Sequence, residues 1–344
     1  MALQSSGAIS LNNVNVELGN SGTAYITMGS AAVRGLFDVA SGAISLSDGY
    51  GASSGPSRGL YASGFTDAAD LNVIDYITLA TTGNAVDFGD LSVLRRHPGA
   101  LASDSRAVFA GGSTGAYPSY TKYNTMDYVT ISTTGNATDF GDLASGKGVM
   151  QGLANDTRGI FGAGSSTALE YITIATTGNA TSFGTMQFKA GTTGLANDTR
   201  GIFAGHSSFG VWSDIMEYIT IATTGNATDF GNLLAINSRG AGCASATRGI
   251  IGGGDDNVAP KLNTIQYVTI ATTGNATDFG DLTAAKGSMG AAASADRAVF
   301  AGGDNSSLVE INVIEYITIA TTGNATDFGD LTVTRQQANG CSGS

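Results

Sequence analysis

Tyr316-Ile-Thr-Ile-Ala-Thr-Thr-Gly-Asn-Ala-Thr-Asp-Phe-Gly-Asp-Leu331 is the last of six near-copies of one segment in this 344-residue chain. The tyrosines that mark the copies are Tyr76, Tyr128, Tyr171, Tyr218, Tyr267 and Tyr316, spaced by 52, 43, 47, 49 and 49 residues. Self-similarity at a period of about 50 residues signals a repeat architecture, whose units bury their apolar faces against one another. Residues common to all copies then report folding. Function is to be sought where the copies differ.

One copy, Leu233 to Leu282, reads as four strands. Leu233–Ser245 is a small-residue strand, and a turn at Ala246-Thr247 leads to a second strand, Arg248–Gly254, that ends in glycines. After an irregular polar connection, Ile265–Thr272 alternates with β-branched residues as a third strand. Thr273-Gly-Asn275 reads as a tight hairpin whose Gly and Asn supply positive φ, followed by a short outer strand, Ala276–Phe279. Four antiparallel strands in such a span make one propeller blade. Second strands begin at Arg58, Arg106, Arg158, Arg200, Arg248 and Arg297. The first of these has no inner strand before it, and residues 331–344 have no second strand after them. The expectation is an all-β, six-bladed β-propeller over residues 51–344, closed by the C-terminal strand as the innermost strand of blade 1.

The repeats resemble kelch repeats. They carry the diglycines Gly111-Gly112, Gly253-Gly254 and Gly302-Gly303, the tyrosines, and a Gly-Asn turn. Phe88, Phe140, Phe183, Phe230, Phe279 and Phe328 stand where kelch repeats have Trp. Residues 1–50 lack the repeat and resemble an N-terminal module of tailed-bacteriophage virion proteins. The shared elements are Ser6–Leu11, Val33-Arg-Gly-Leu36 and Ser47-Asp-Gly-Tyr-Gly51, with Gly49 where a bulky apolar residue is usual. This resemblance implies a virion component exposed on the particle surface in multiple copies. Residues 1–50 would be its attachment segment to other virion proteins.

Charged residues are 13% of the chain, Gly 50 and Pro 4, which suits short strands joined by tight turns and not a disordered chain. A net charge of −12 argues against nucleic acid or an anionic membrane surface as partner. No apolar run approaches the ~20 residues of a membrane span. The start, Met1–Gly7, lacks the features of a signal peptide, so the expectation is a soluble product not secreted by that route.

No catalytic constellation is legible, and no cofactor or metal is called for. His97 and His206 have no ligand partner at metal-binding spacing. The Asp-Phe-Gly-Asp copies could hold calcium, but an Asp beside Gly is more often a turn residue. Cys243 and Cys341 share a repeat position two blades apart, too far to bond, and read as free core residues. The recurring Arg that opens each second strand reads as a structural donor to neighbouring turns.

Two candidate binding features remain. Arg95, Lys147, Lys189, Lys286 and Arg335, with Asn237 and Arg239 nearby, fall near one repeat position. They would form a basic, anion-binding ring at the channel mouth unless they pair with Asp90, Asp142, Asp281 and Asp330. The loops between second and third strands hold 11, 15, 6, 11, 12 and 12 residues. The second carries Tyr117, Tyr120 and Tyr123, and the fourth carries Phe209 and Trp212, the only Trp. Aromatic loops on either side of the short third loop would make a groove suited to a sugar face or a protein anchor. Together these readings point to a non-enzymatic tail fibre or receptor-binding protein that contacts a host surface glycan or protein. The alternative is a structural head or tail decoration protein that binds other virion proteins.

Overall fold

The computed structural model describes residues 57–343 except 116–118, 165, 188–189, 209 and 259–260, together with Val14, Leu18 and Val33. The attachment segment read at residues 1–50 therefore lies outside the described residues, apart from those three. Ser57–Gly343 forms one compact unit. It is a six-bladed β-propeller. Each blade is a four-stranded antiparallel sheet, and two further two-stranded pairings lie in the loops.

Blade 5 illustrates the plan. Its inner strand is Ala241–Ala244, its second Arg248–Gly252, its third Thr264–Thr269 and its outer Thr277–Asp281. The inner strand is shorter than the sequence suggests, because residues 234–240 are a connection across one face. The outer strand starts one residue later than expected and runs on to Asp281. In blade 1 the inner strand is Asn339–Gly343, paired antiparallel with Arg58–Phe65 through Leu60↔Cys341. The ring is thus closed by the C-terminal strand, and no inner edge is left open.

Among the described residues the core is divided among six clusters, one at each interface between neighbouring blades. Between blades 1 and 2, for example, Leu60, Phe88, Leu91 and Cys341 pack on Ala100, Phe109 and Val129. A single blade has no complete core of its own, which is why the fold needs the whole ring.

Small residues on the inner strands follow from crowding at the axis. A Cβ on Gly194 or Gly242 would come 3.1 or 2.7 Å from the carbonyl of Gly152 or Gly194 on the preceding blade. What remains at the axis is a cavity of about 30 Å³, lined by residues such as Ala100, Gly152, Gly194, Gly242, Ala291 and Gly340. That is room for water and little else.

Candidate functional site

The residues common to all copies are used within the ring. Each second-strand Arg lies over the ring of its own blade's Tyr, as Arg106 does at 4.6 Å from Tyr128. Its guanidinium then donates to carbonyls just past the third strand of the next blade. Arg106 reaches Ile174 and Ala175 at 3.1 and 2.9 Å, and Arg297 closes the circle onto Leu79 and Ala80. Each Tyr meets its Phe edge-on, at 5.8 to 6.1 Å. The structural role read for the arginines therefore holds.

The Gly-Asn turn works differently from the sequence reading. The connection from Thr269 to Thr277 is too long for a tight hairpin, and Asn275 is not left-handed. The Asn side chain instead accepts the backbone N–H of the preceding blade's outer strand. The Asn136 Oδ1 takes the Asp90 N–H at 3.0 Å, and the Asn84 Oδ1 takes the Asp330 N–H at 3.1 Å. Beside it the Gly135 and Ala137 N–H groups donate to the Phe88 and Asp90 carbonyls, each at 2.8 Å. Each turn therefore covers the free edge of the outer strand next to it.

The cations expected at the channel mouth are buried instead. Arg95, Lys147, Lys286 and Arg335 pair with Asp127, Glu170, Glu315 and Asp75 at 2.7, 2.7, 2.7 and 2.9 Å. The partner is the acid just before each marker Tyr, not Asp90, Asp142, Asp281 or Asp330. Asp75, Glu170 and Glu315 also accept the backbone N–H after the preceding Leu, as the Thr332 N–H donates to Asp75 at 3.1 Å, and Asp127 accepts the Ser92 hydroxyl at 2.6 Å. Burial pulls the Arg95 and Arg335 guanidiniums below their ordinary value, and the paired aspartates oppose that shift. Blade 5 has a neutral counterpart, in which Gln266 accepts the Leu234 N–H and Asn237 donates to the Gly253 carbonyl, both at 2.9 Å. Lys189 lies outside the described residues. The four described cations are thus paired inside the blades and form no open ring for an anion.

Of the expected groove residues, Tyr117 and Phe209 lie outside the described residues. Tyr120 is exposed on the blade 2 loop. Tyr123 is half-buried and shares a 3.1 Å hydrogen bond with the Thr114 hydroxyl, which holds it on its own loop. Trp212 is half-buried on the blade 4 hairpin formed by Arg200–Ser208 and Val211–Thr220. The third-blade strands, Arg158–Ala163 and Ala168–Thr173, end sooner. At ~3.3 Å per residue, three more residues carry the blade 4 hairpin roughly 10 Å further. Tyr120 and Trp212 thus stand on the blades that flank blade 3.

A second feature on this face has no simple sequence signal. One residue per blade, just before or at the start of the inner strand, is left-handed: His97, Val149, Gly191, Arg239, Ser288 and Gln337, with φ from 53° to 68°. Five are not glycine, and a β-branched valine there is strained. The backbones of five of them, all but Val149, link around the axis. The His97 N–H donates to Gln337, Gln337 to Ser288, Ser288 to Arg239 and Arg239 to Gly191, at 2.8 to 3.0 Å. The side chains at this position differ in every blade. Burial, with Arg239 and Arg96 nearby, pushes the His97 imidazole down to about 3, so it is neutral at physiological pH.

Among the described residues, the same face carries nearly all the exposed bulky apolar side chains. Leu94, Tyr120, Val211, Leu234, Ile236, Val258, Leu308 and Val309 lie in its loops, against Val86 elsewhere. Val258 is 91% and Leu308 66% exposed. The geometry suits binding. Among the described residues no cluster of three or more His, Cys, Asp or Glu could hold a metal ion, and no helix is long and apolar enough to cross a membrane. Cys243 and Cys341 are free, and burial pushes both thiols up to about 12. Comparison with protein-family models and with curated proteins returned no match.

Proposed function

We propose that this chain is a non-enzymatic bacteriophage virion protein, a tail fibre or receptor-binding protein. Its kelch-like propeller would present one face to a host surface glycan or protein. The observation that carries this reading is the contrast between faces: the repeated residues are consumed by contacts within the ring, and the copies diverge on one exposed, apolar loop face. Exposed apolar side chains that gather on one face and vary from copy to copy suit an interaction surface better than a structural one. Residues 1–50, through their resemblance to phage virion modules, supply the attachment to other virion proteins. Multiple copies on a particle would raise weak single-site affinity through avidity. Nucleic acid and membrane insertion have no part in the reading.

The second reading is a head or tail decoration protein. It is favoured by the aliphatic character of Val211, Ile236, Val258, Leu308 and Val309, which suits a protein partner better than a sugar. The experiment that separates the two readings is binding of the Trp212→Ala, Tyr120→Ala double variant to host cells or their surface glycans. Lost binding with the fold intact supports receptor recognition; unchanged binding favours decoration.

A further inference from the structure

The axial mouth holds two polar side chains with no hydrogen-bond partner among the described residues. Arg239 is one. Its side chain is 49% exposed, and its nearest acid, Asp255, lies 3.6 Å away, beyond hydrogen-bond reach. Asp255 is already held at 2.9 Å by Lys261, which also binds Asp304 at 2.8 Å. By contrast, Arg96 donates to Asp70 at 2.5 Å and to the Gly115 carbonyl at 3.1 Å. The second side chain is the His97 imidazole. Arg239 and His97 occupy the same left-handed position three blades apart, on opposite sides of a six-bladed ring.

We infer that Arg239 and His97 form an oxyanion-binding site across the mouth of the axis, and that its ligand is the carboxylate or phosphate group of an acidic saccharide. A guanidinium held only by the long, 3.6 Å ion pair with Asp255 has donors left for either oxyanion, and charge-assisted bonds of this kind are the strong ones. A neutral imidazole contributes one N–H donor without requiring a second buried charge. The cavity below admits only water, so the anion stops at the mouth and the remainder of the ligand lies on the loop face. The facing charges are Arg96 with Asp70, and Asp255, Lys261 and Asp304; Glu310 is engaged at 3.0 Å by Gln336. The saccharide part rests on the receptor-binding reading above; the oxyanion site does not.

The test uses the full chain and its two histidines, His97 and His206, as separate NMR probes. Glucuronate, glucose 6-phosphate and neutral glucose are each titrated against the imidazole resonances. The expected result is a saturable shift of His97, with His206 unmoved, on adding glucuronate, glucose 6-phosphate or both, and none with glucose. A response to one acid alone identifies carboxylate or phosphate as the group bound. Arg239→Gln should weaken binding about tenfold or more, the usual consequence of losing a charged hydrogen-bond donor. Gln is accommodated there, since Gln337 holds the same conformation in blade 1, and an unchanged melt verifies the fold. No shift, an equal shift with glucose or sodium chloride, or a shift that survives Arg239→Gln overturns the site. The host-cell assay is independent. A probe response without cell binding keeps the oxyanion site and removes the receptor reading, and the reverse removes the site alone.

Discussion

The two faces of the ring differ in what their residues do. On one face the turns between first and second strands repeat the same device. Ser103, Asn155, Asn197, Ser245 and Ser294 each use a side-chain oxygen to accept the N–H of the Arg three residues on. The Thr-Thr-Gly-Asn turns leave from this face and cover the neighbouring blade's edge. On the other face the loops differ in length, the exposed aliphatic groups collect, and the left-handed position carries a different residue in every blade. Uniformity marks where blades hold one another; variety marks where the ring meets something else.

The contrast predicts a graded series of effects. The most severe test removes the seam: a chain truncated after Leu331 loses the strand Asn339–Gly343 and leaves Asp75 buried without Arg335. Such a chain is expected to lose cooperative unfolding by calorimetry, and a melt like that of the intact protein would end the closure argument.

The buried ion pairs come next. Lys286→Ala should cost about 3–5 kcal/mol, because Glu315 is left buried without its ion-pair partner. The double change Lys286→Asn, Glu315→Gln copies the neutral Asn237 and Gln266 of blade 5 and should cost about 1 kcal/mol or less. Denaturant titrations measure both. Equal losses would mean that the charge pair contributes beyond satisfying its own partners.

A smaller effect is expected at the turns. Asn275→Ala deletes one hydrogen bond between blades and should cost about 1 kcal/mol. Asn84→Ala, at the seam, should cost the same, and a much larger loss there would make blade 1 a weak point. The smallest effect on stability belongs to the variable face. Trp212→Ala with Tyr120→Ala should change stability by about 1 kcal/mol or less while reducing host-cell binding.

The fold was legible because its determinants repeat. The marker Tyr and Phe, the leading Arg and the unmatched strands at either end identify six blades and their closure. The cation partners were harder to read, since the pairing runs from a connection to the third strand of the following sheet. A signal was nevertheless present: Asp75, Asp127, Glu170 and Glu315 sit before a Tyr where a cation precedes the inner strand, and Gln266 accompanies Asn237. The Gly-Asn turn misled because Asn both tolerates positive φ and accepts hydrogen bonds, and spacing does not distinguish a bond within a blade from one between blades. The left-handed ring gave no warning. Only Gly191 among its six members is glycine, and the left-handed conformation of His97, Val149 and Arg239 has no residue-type signal.

The covered outer strands have a consequence for crowding. A sheet edge with free N–H and C=O groups recruits strands from other molecules, and proteins held side by side at high local concentration are the most exposed to that hazard. Here the turns lap the outer strands like tiles laid in one direction, from Asn136 over Asp90 round to Asn84 over Asp330. The circumference offers a neighbouring molecule few backbone groups to bond. Rings of this kind can be massed rim to rim and still remain separate molecules.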